Sequence, residues 1–191
     1  MPVTTPRAPE SMSLANKISL GRILLVPAIV ACLVYYHPSR DGLRFLALGL
    51  FVIGILSDAI DGFVARLQHQ HTELGAVLDP LADKLLILSA LISCSMIRGL
   101  PEWMRVPAWF NLLVISRDAI LVAGTFLLFA LRGHWNIRPS RLGKCTTAAQ
   151  MLVVPALLLG LELKGPLILM AATLTVLSAV SYLRIGIRLL G

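Results

Sequence analysis

Charge is scarce in this chain. Only 14% of its 191 residues are charged, while 57% are hydrophobic and the mean hydropathy is +0.83. So little charge cannot cover a water-soluble domain of this size, and composition alone excludes an ordinary soluble fold. Cysteine is scarce too. Cys32, Cys94 and Cys145 are an odd, widely spaced set without a C-x-x-C or a nearby histidine partner. That pattern excludes a disulfide framework and a zinc site and predicts three small buried apolar residues. No basic run is interleaved with aromatics, so the net charge of +7 does not point to nucleic acid. Anionic lipid headgroups and phosphorylated small molecules suit that charge better. The first residues lack the basic start and cleavage site of a signal peptide, and they lack an arginine-rich presequence. A bacterial plasma membrane is the expected location.

What the chain has instead is a succession of long apolar runs. Six are long enough to cross a bilayer: 18–36, 43–66, 75–97, 107–131, 145–163 and 166–190. The expected fold is therefore all-α, a polytopic membrane protein of six transmembrane helices with a polar cavity at the cytoplasmic side. Residues 1–17 form a polar lead carrying Pro2, Pro6 and Pro9, with a surface-lying stretch from about Ser11, and residues 18–191 form the membrane domain. Gly21, Arg22 and Pro27 interrupt the first span, where Arg22 is expected to snorkel to the interface. Trp103 and Trp109 are expected to be interfacial anchors. Pro80 suits the first turn of a helix behind an Asp cap, so the regular third helix is expected to begin nearer Asp79 than Gly75.

Six spans put both termini on one side. With that side cytoplasmic, the inner segments carry Arg7, Lys17, Arg66, Arg132, Arg138, Arg141, Lys144, Arg184 and Arg188. The outer ones carry Arg40, Arg44, Arg98, Arg105 and Lys164. The excess of cations inside fixes the expected orientation.

Against this apolar background the stretch Ser57–Lys84 stands out, because it holds four of the ten carboxylates: Asp58, Asp61, Asp79 and Asp83. At about 3 kcal/mol for each ionised acid at the centre of a membrane helix, four would cost roughly 10 kcal/mol without compensation. A divalent cation such as Mg²⁺ or Mn²⁺ compensates them most simply, since hard ions take carboxylate oxygens. The spacing agrees. Asp58, Asp61, Gly62 and Ala65 share one helical stripe, and Asp79 and Asp83 stand four apart on one face. The link Leu67–Leu74 is short, so the two helices are expected to be antiparallel neighbours with their acids facing. Gly62, Ala65 and Gly75 leave room there for a substrate. A cation transporter is the alternative of another class. It predicts a second broken-helix copy of the segment, and none is present.

The residues Asp58-x-x-Asp61-Gly62-x-x-Ala65-Arg66, eight residues, then Gly75-x-x-x-Asp79-x-x-x-Asp83 resemble the signature of the CDP-alcohol phosphotransferase family at every defined position. The resemblance implies that Asp58, Asp61 and Asp79 hold one or two divalent ions, with Asp83 either ligating or acting as the base on an acceptor hydroxyl. It implies that Gly62, Ala65, Arg66 and Gly75 border the CDP moiety of a CDP-linked lipid, with Arg66 near the phosphates. It also suggests a homodimer.

Leu78 to Lys84 (L-D-P-L-A-D-K) is similar to the branch that contains phosphatidylglycerophosphate synthases and single-domain cardiolipin synthases. Asn16, Ser19 and Arg22, spaced N-x-x-S-x-x-R, resemble the start of the glycerophosphate branch and would border the site. The resemblance thus implies CDP-diacylglycerol as donor and glycerol 3-phosphate as acceptor, with Arg117, Arg141 and Lys144 as the basic partners for its phosphate. Gly143, Lys144, Thr146, Thr147 and Gln150 add a polar cluster at a helix start, a favourable place for an anion. Ile115-Ser116-Arg117-Asp118 instead resembles the cardiolipin branch, which keeps phosphatidylglycerol open as the acceptor. Arg117 and Asp118 are adjacent, so they are expected to point to different sides of their helix.

Overall fold

The computed structural model describes residues 14–39, 41–68, 73–132 and 140–190. Side chains are described for fewer, leaving out those of 14–19, 58–68, 73–80, 125, 127–132 and 185–190. The polar lead through Ser13 and most of the basic loop at 133–139 therefore lie outside the described residues.

Among the described residues there are six α-helices, α1 Leu14–Val34, α2 Asp41–Gln68, α3 Glu73–Met96, α4 Ala108–Arg132, α5 Arg141–Leu158 and α6 Lys164–Leu190, and one 3₁₀ turn at Glu102–Met104. No strand occurs among the described residues. Among the described residues two segments, Glu102–Gly124 and Lys164–Arg184, are long and apolar enough to cross a membrane, and Leu20–Val34 is a shorter apolar helix. At about 1.5 Å per residue the shortest helix, α5, is roughly 27 Å long.

Several boundaries differ from the sequence expectation, and the fifth helix starts at Arg141 rather than Cys145. The first helix begins at Leu14 and runs unbroken through Gly21, Arg22 and Pro27, so residues 14–17 belong to α1 rather than to the polar lead. The third begins at Glu73, which places Asp79 and Pro80 inside α3. The fifth stops at Leu158 instead of Leu163, and the cause is local. Gly160 has φ 69°, a conformation that only glycine adopts without strain. The Leu161 amide donates to the Ala156 carbonyl at 3.0 Å and the Gly160 amide to Leu157 at 2.9 Å. Those two bonds form a Schellman ending that satisfies the last carbonyls of α5.

Packing follows from where small residues fall. α1 lies against both α2 and α3, α6 lies against α4 and α5, and α2 and α3 each reach α5. The core between them is built from Ile29 and Leu33, Phe51, Leu86 and Leu91, Phe110, Val153 and Leu157. Ala47, Ala90, Ala149 and Ala171 allow the helices to approach closely within it. Gly54 of α2 meets Leu86 of α3 and Leu25 of α1. Gly54 is four residues before Asp58, and Leu86 is three after Asp83. The second and third helices therefore touch one turn away from both acid-bearing segments, with α1 filling the angle between them.

Trp103 is not a free anchor. It packs beside Gly160 and under the Arg44 guanidinium, whose carbon stands 5.1 Å from the ring centroid. Trp109 is half exposed, as an interfacial residue would be. Cys32 and Cys94 are buried as expected, whereas Cys145 is exposed on α5.

Candidate active site

Among the described side chains the signature is represented by Asp83, and its partner is Arg22. The guanidinium of Arg22 donates to Asp83 Oδ1 across the α1–α3 contact, and it is almost completely buried, at 1% exposure. The expectation that Arg22 snorkels to the interface is thus overturned, because its charge pairs with a carboxylate inside the bundle. Its place beside the signature, suggested by the N-x-x-S-x-x-R pattern, agrees with the contact.

The next residue on α3 reaches the other way. Lys84 Nζ pairs with Asp118 Oδ1 on α4. The same oxygen accepts from Arg117 Nη1 at 2.7 Å. Adjacent positions on a helix diverge at Cβ, but the long arginine folds back onto its neighbour. The expectation that these two side chains part company is therefore wrong. Arg117 pairs with Asp118 rather than with a signature acid, and its Nη2 donates to Ser178 Oγ on α6 at 3.0 Å. Arg117, Asp118 and Ser178 are all buried. Arg117 Nε is buried with no hydrogen-bond partner among the described residues.

Arg117 also touches the start of α5. Ser140 caps that helix, its Oγ accepting from the Gly143 amide at 3.0 Å. The Ser140 amide donates to the Tyr182 hydroxyl at 3.1 Å, and the Arg117 guanidinium carbon lies 6.0 Å from the Tyr182 ring centroid. A Cβ on Gly143 would stand 3.2 Å from the Tyr182 hydroxyl and 3.3 Å from both Arg117 Nη2 and Ser140 Oγ. A glycine there lets three polar groups converge on that first turn, which a side chain would crowd. Arg141 and Lys144 stand exposed beside it. A helix start, a buried guanidinium and two exposed cations suit an anionic group.

The rest of the expected polar cluster does something else. Thr146 donates to the Leu142 carbonyl at 2.8 Å and lies 3.0 Å from that of Leu174. Gln150 donates to Thr175 Oγ1 at 3.0 Å. The bond to Leu142 lies within α5, and those to Leu174 and Thr175 join α5 to α6.

Asp58, Asp61, Gly62, Ala65 and Arg66 lie on α2, and Gly75 and Asp79 on α3. Their side chains are outside the described set. Among the described residues no three His, Cys, Asp or Glu side chains gather as a metal site. Asp83 is the described member of the donor set, and carboxylate oxygens are the chemistry a hard divalent ion takes. Arg22, Lys84, Asp118, Ser178 and Tyr182 were not foreseen as a group. The available signal was that Arg22, Lys84 and Asp118 are charges inside apolar runs, where each needs a partner.

The comparison with known proteins decides the class. The family model for CDP-alcohol phosphatidyltransferase matches residues 12–179. The chain belongs to the CDP-alcohol phosphatidyltransferase family. It is therefore a phospholipid-synthesising transferase of membrane type, and the cation-transport alternative falls away. It is 35% identical over 186 residues to a protein of Mycobacterium tuberculosis named "probable phosphatidylglycerophosphate synthase", covering 94% of this chain and 84% of the relative. It is 36% identical over 156 residues to the CDP-diacylglycerol–glycerol-3-phosphate 3-phosphatidyltransferase of Bacillus subtilis, covering 77% of each. A Mycobacterium bovis protein provisionally named a cardiolipin synthase is 34% identical over 149 residues, covering 78% of this chain and 66% of the relative.

Proposed function

We propose that this transferase moves the phosphatidyl group of CDP-diacylglycerol onto glycerol 3-phosphate and releases CMP. In that reaction the acceptor hydroxyl attacks the phosphorus that carries the diacylglycerol. A new P–O bond forms, the bond to the CMP phosphate breaks, and the electron pair leaves on CMP. Asp83 is placed to take the hydroxyl proton or to share in holding the ion. Its pairing with Arg22 fixes its orientation, and positioning matters as much as basicity for a carboxylate base. Asp58, Asp61 and Asp79, with or without Asp83, would hold one or two Mg²⁺ or Mn²⁺ ions. Bound there, such ions supply positive charge to the diphosphate oxygens as negative charge shifts during transfer. Gly62, Ala65, Arg66 and Gly75 would border the CDP group.

The observation that carries the acceptor is the basic end of the site. Arg117 is buried against the first turn of α5, and Arg141 and Lys144 are exposed on that turn. A phosphate monoester is the acceptor that rewards such a cluster. The names of the Mycobacterium tuberculosis and Bacillus subtilis relatives support this reading. Phosphatidylglycerol remains the second reading. It is favoured by the Ser116-Arg117-Asp118 sequence and by the name of the Mycobacterium bovis relative.

The wider arrangement belongs to the same proposal. All six helices span a bacterial plasma membrane, residues 18–191 act as one catalytic unit, and the polar cavity opens to the cytoplasm, where a water-soluble acceptor arrives. Two copies pair as a homodimer. The excess of cations at the inner ends supports the orientation.

The test is direct. Purified protein with CDP-diacylglycerol and Mn²⁺ receives glycerol 3-phosphate or phosphatidylglycerol, and CMP is measured. Release with glycerol 3-phosphate is expected. Release with phosphatidylglycerol alone would hand the site to the second reading.

A further inference from the structure

Lys84, Asp118, Arg117, Ser178, Tyr182 and Ser140 make one continuous polar chain from the signature helix to the start of α5. Its junction is a single atom. Asp118 Oδ1 takes the contacts from both Lys84 and Arg117. Among the described side chains one carboxylate stands between two cations, and Arg117 Nε has no acceptor there. Arg117 Nη2 rests 3.3 Å from the Cβ position of Gly143, against the turn that carries Arg141 and Lys144. The place of that guanidinium is set on one side by Ser178 and on the other by Asp118.

From this geometry we infer that Asp118 is a positioning residue: it acts through Arg117, holding the guanidinium where an acceptor's phosphate would meet the start of α5. The inference rests on the acceptor reading given above. Asp118 itself touches no substrate. Without its charge, Arg117 loses the partner on Nη1 and Lys84 loses the partner on Nζ. Arg117 is then free to leave the Gly143 turn, and the anion loses one of its donors. The donor end of the site is built from other residues, so its affinity for CDP-diacylglycerol is not tied to Asp118.

A double-mutant cycle on the full-length protein tests this. CMP release is followed with CDP-diacylglycerol and a titration of glycerol 3-phosphate for wild type, Asp118→Asn, Arg117→Gln and the double variant. Asp118→Asn is expected to raise the acceptor KM about tenfold while the KM for CDP-diacylglycerol changes by less than about twofold. The double variant is expected to be no worse than Arg117→Gln alone, because a residue acting through Arg117 has nothing left to act through. Independent, multiplying effects in the double variant overturn the inference, as does an unchanged acceptor KM in Asp118→Asn. Both KM values rising together, with a lowered melting temperature, would mark a merely structural pair. Should Asp118→Asn fail to survive extraction, Asp118→Glu carries the same cycle with the charge kept and the guanidinium displaced. Wild-type turnover is the separate check on the acceptor. If wild type uses only phosphatidylglycerol, the acceptor reading fails, and the cycle is read on the KM for that lipid.

Discussion

Arg22 and Asp83, sixty-one residues apart, form an ion pair that ties α1 to the signature helix α3. The pair explains why a charged residue sits in the first apolar helix at all. It also means that the last signature acid does not stand alone in the bundle. Its orientation is set by a residue from another helix.

Removing one member of such a pair leaves the other charged and poorly solvated, which in buried pairs costs about 3–5 kcal/mol. Arg22→Met should therefore lower the melting temperature of the detergent-solubilised protein substantially. Arg22→Lys keeps the charge but not the planar fork. It is expected to assemble nearly as wild type does while CMP release falls by about tenfold or more. A variant with lysine that melts and turns over like wild type would remove Arg22 from any role in orienting Asp83.

Asp83→Asn keeps the shape and removes the charge. Membrane insertion and CMP binding are expected to survive, while CMP release from CDP-diacylglycerol falls to background. A proton acceptor and a metal ligand are both lost in this variant, and Mn²⁺ titration of CMP binding separates them. A base alone leaves the Mn²⁺ requirement for binding unchanged, whereas a ligand shifts it upward. Sustained turnover in Asp83→Asn would deny the residue either part.

The sequence made the acid pattern legible because four carboxylates at helical spacing in apolar surroundings have few uses. The six apolar runs likewise located six helices, since their length and the polar breaks between them mark them. What stayed hidden was pairing between distant residues. Nothing in the apolar run around Arg22 says that its partner is Asp83, and nothing at Lys84 names Asp118. The first contact follows from α1 lying against both α2 and α3, which the short Leu67–Leu74 link did not foretell, and the second from α3 meeting α4. The early stop of α5 was missed for another reason. The apolar run continues past Gly160, and a left-handed glycine outweighs hydropathy in ending a helix.

That glycine supplies a control remote from the chemistry. Alanine at position 160 must hold φ near 69°, at a cost of about 1–2 kcal/mol, and its Cβ would stand 3.3 Å from the Trp103 ring. Gly160→Ala should lower the melting temperature while leaving both KM values as they are in wild type. A changed acceptor KM would instead mean that the α5–α6 turn communicates with the far end of α5, through the helix whose first turn carries Arg141 and Lys144.

Those two cations give the remaining prediction. Arg141 and Lys144 are exposed on the first turn of α5, so removing them opens no cavity and breaks no bond described in the fold. Arg141→Ala with Lys144→Ala should therefore melt close to wild type. Each lost charge-assisted contact to a phosphate is worth about 1.5–3 kcal/mol when made. The acceptor KM of the double variant is accordingly expected to rise by at least about tenfold, with the donor KM steady. Raising the ionic strength should weaken acceptor binding in wild type more than in the variant, because exposed charges are screened within about 10 Å at 0.1 M salt. An acceptor KM that ignores both the substitutions and the salt would move the phosphate elsewhere, leaving Arg117 to the ion-pair chain alone.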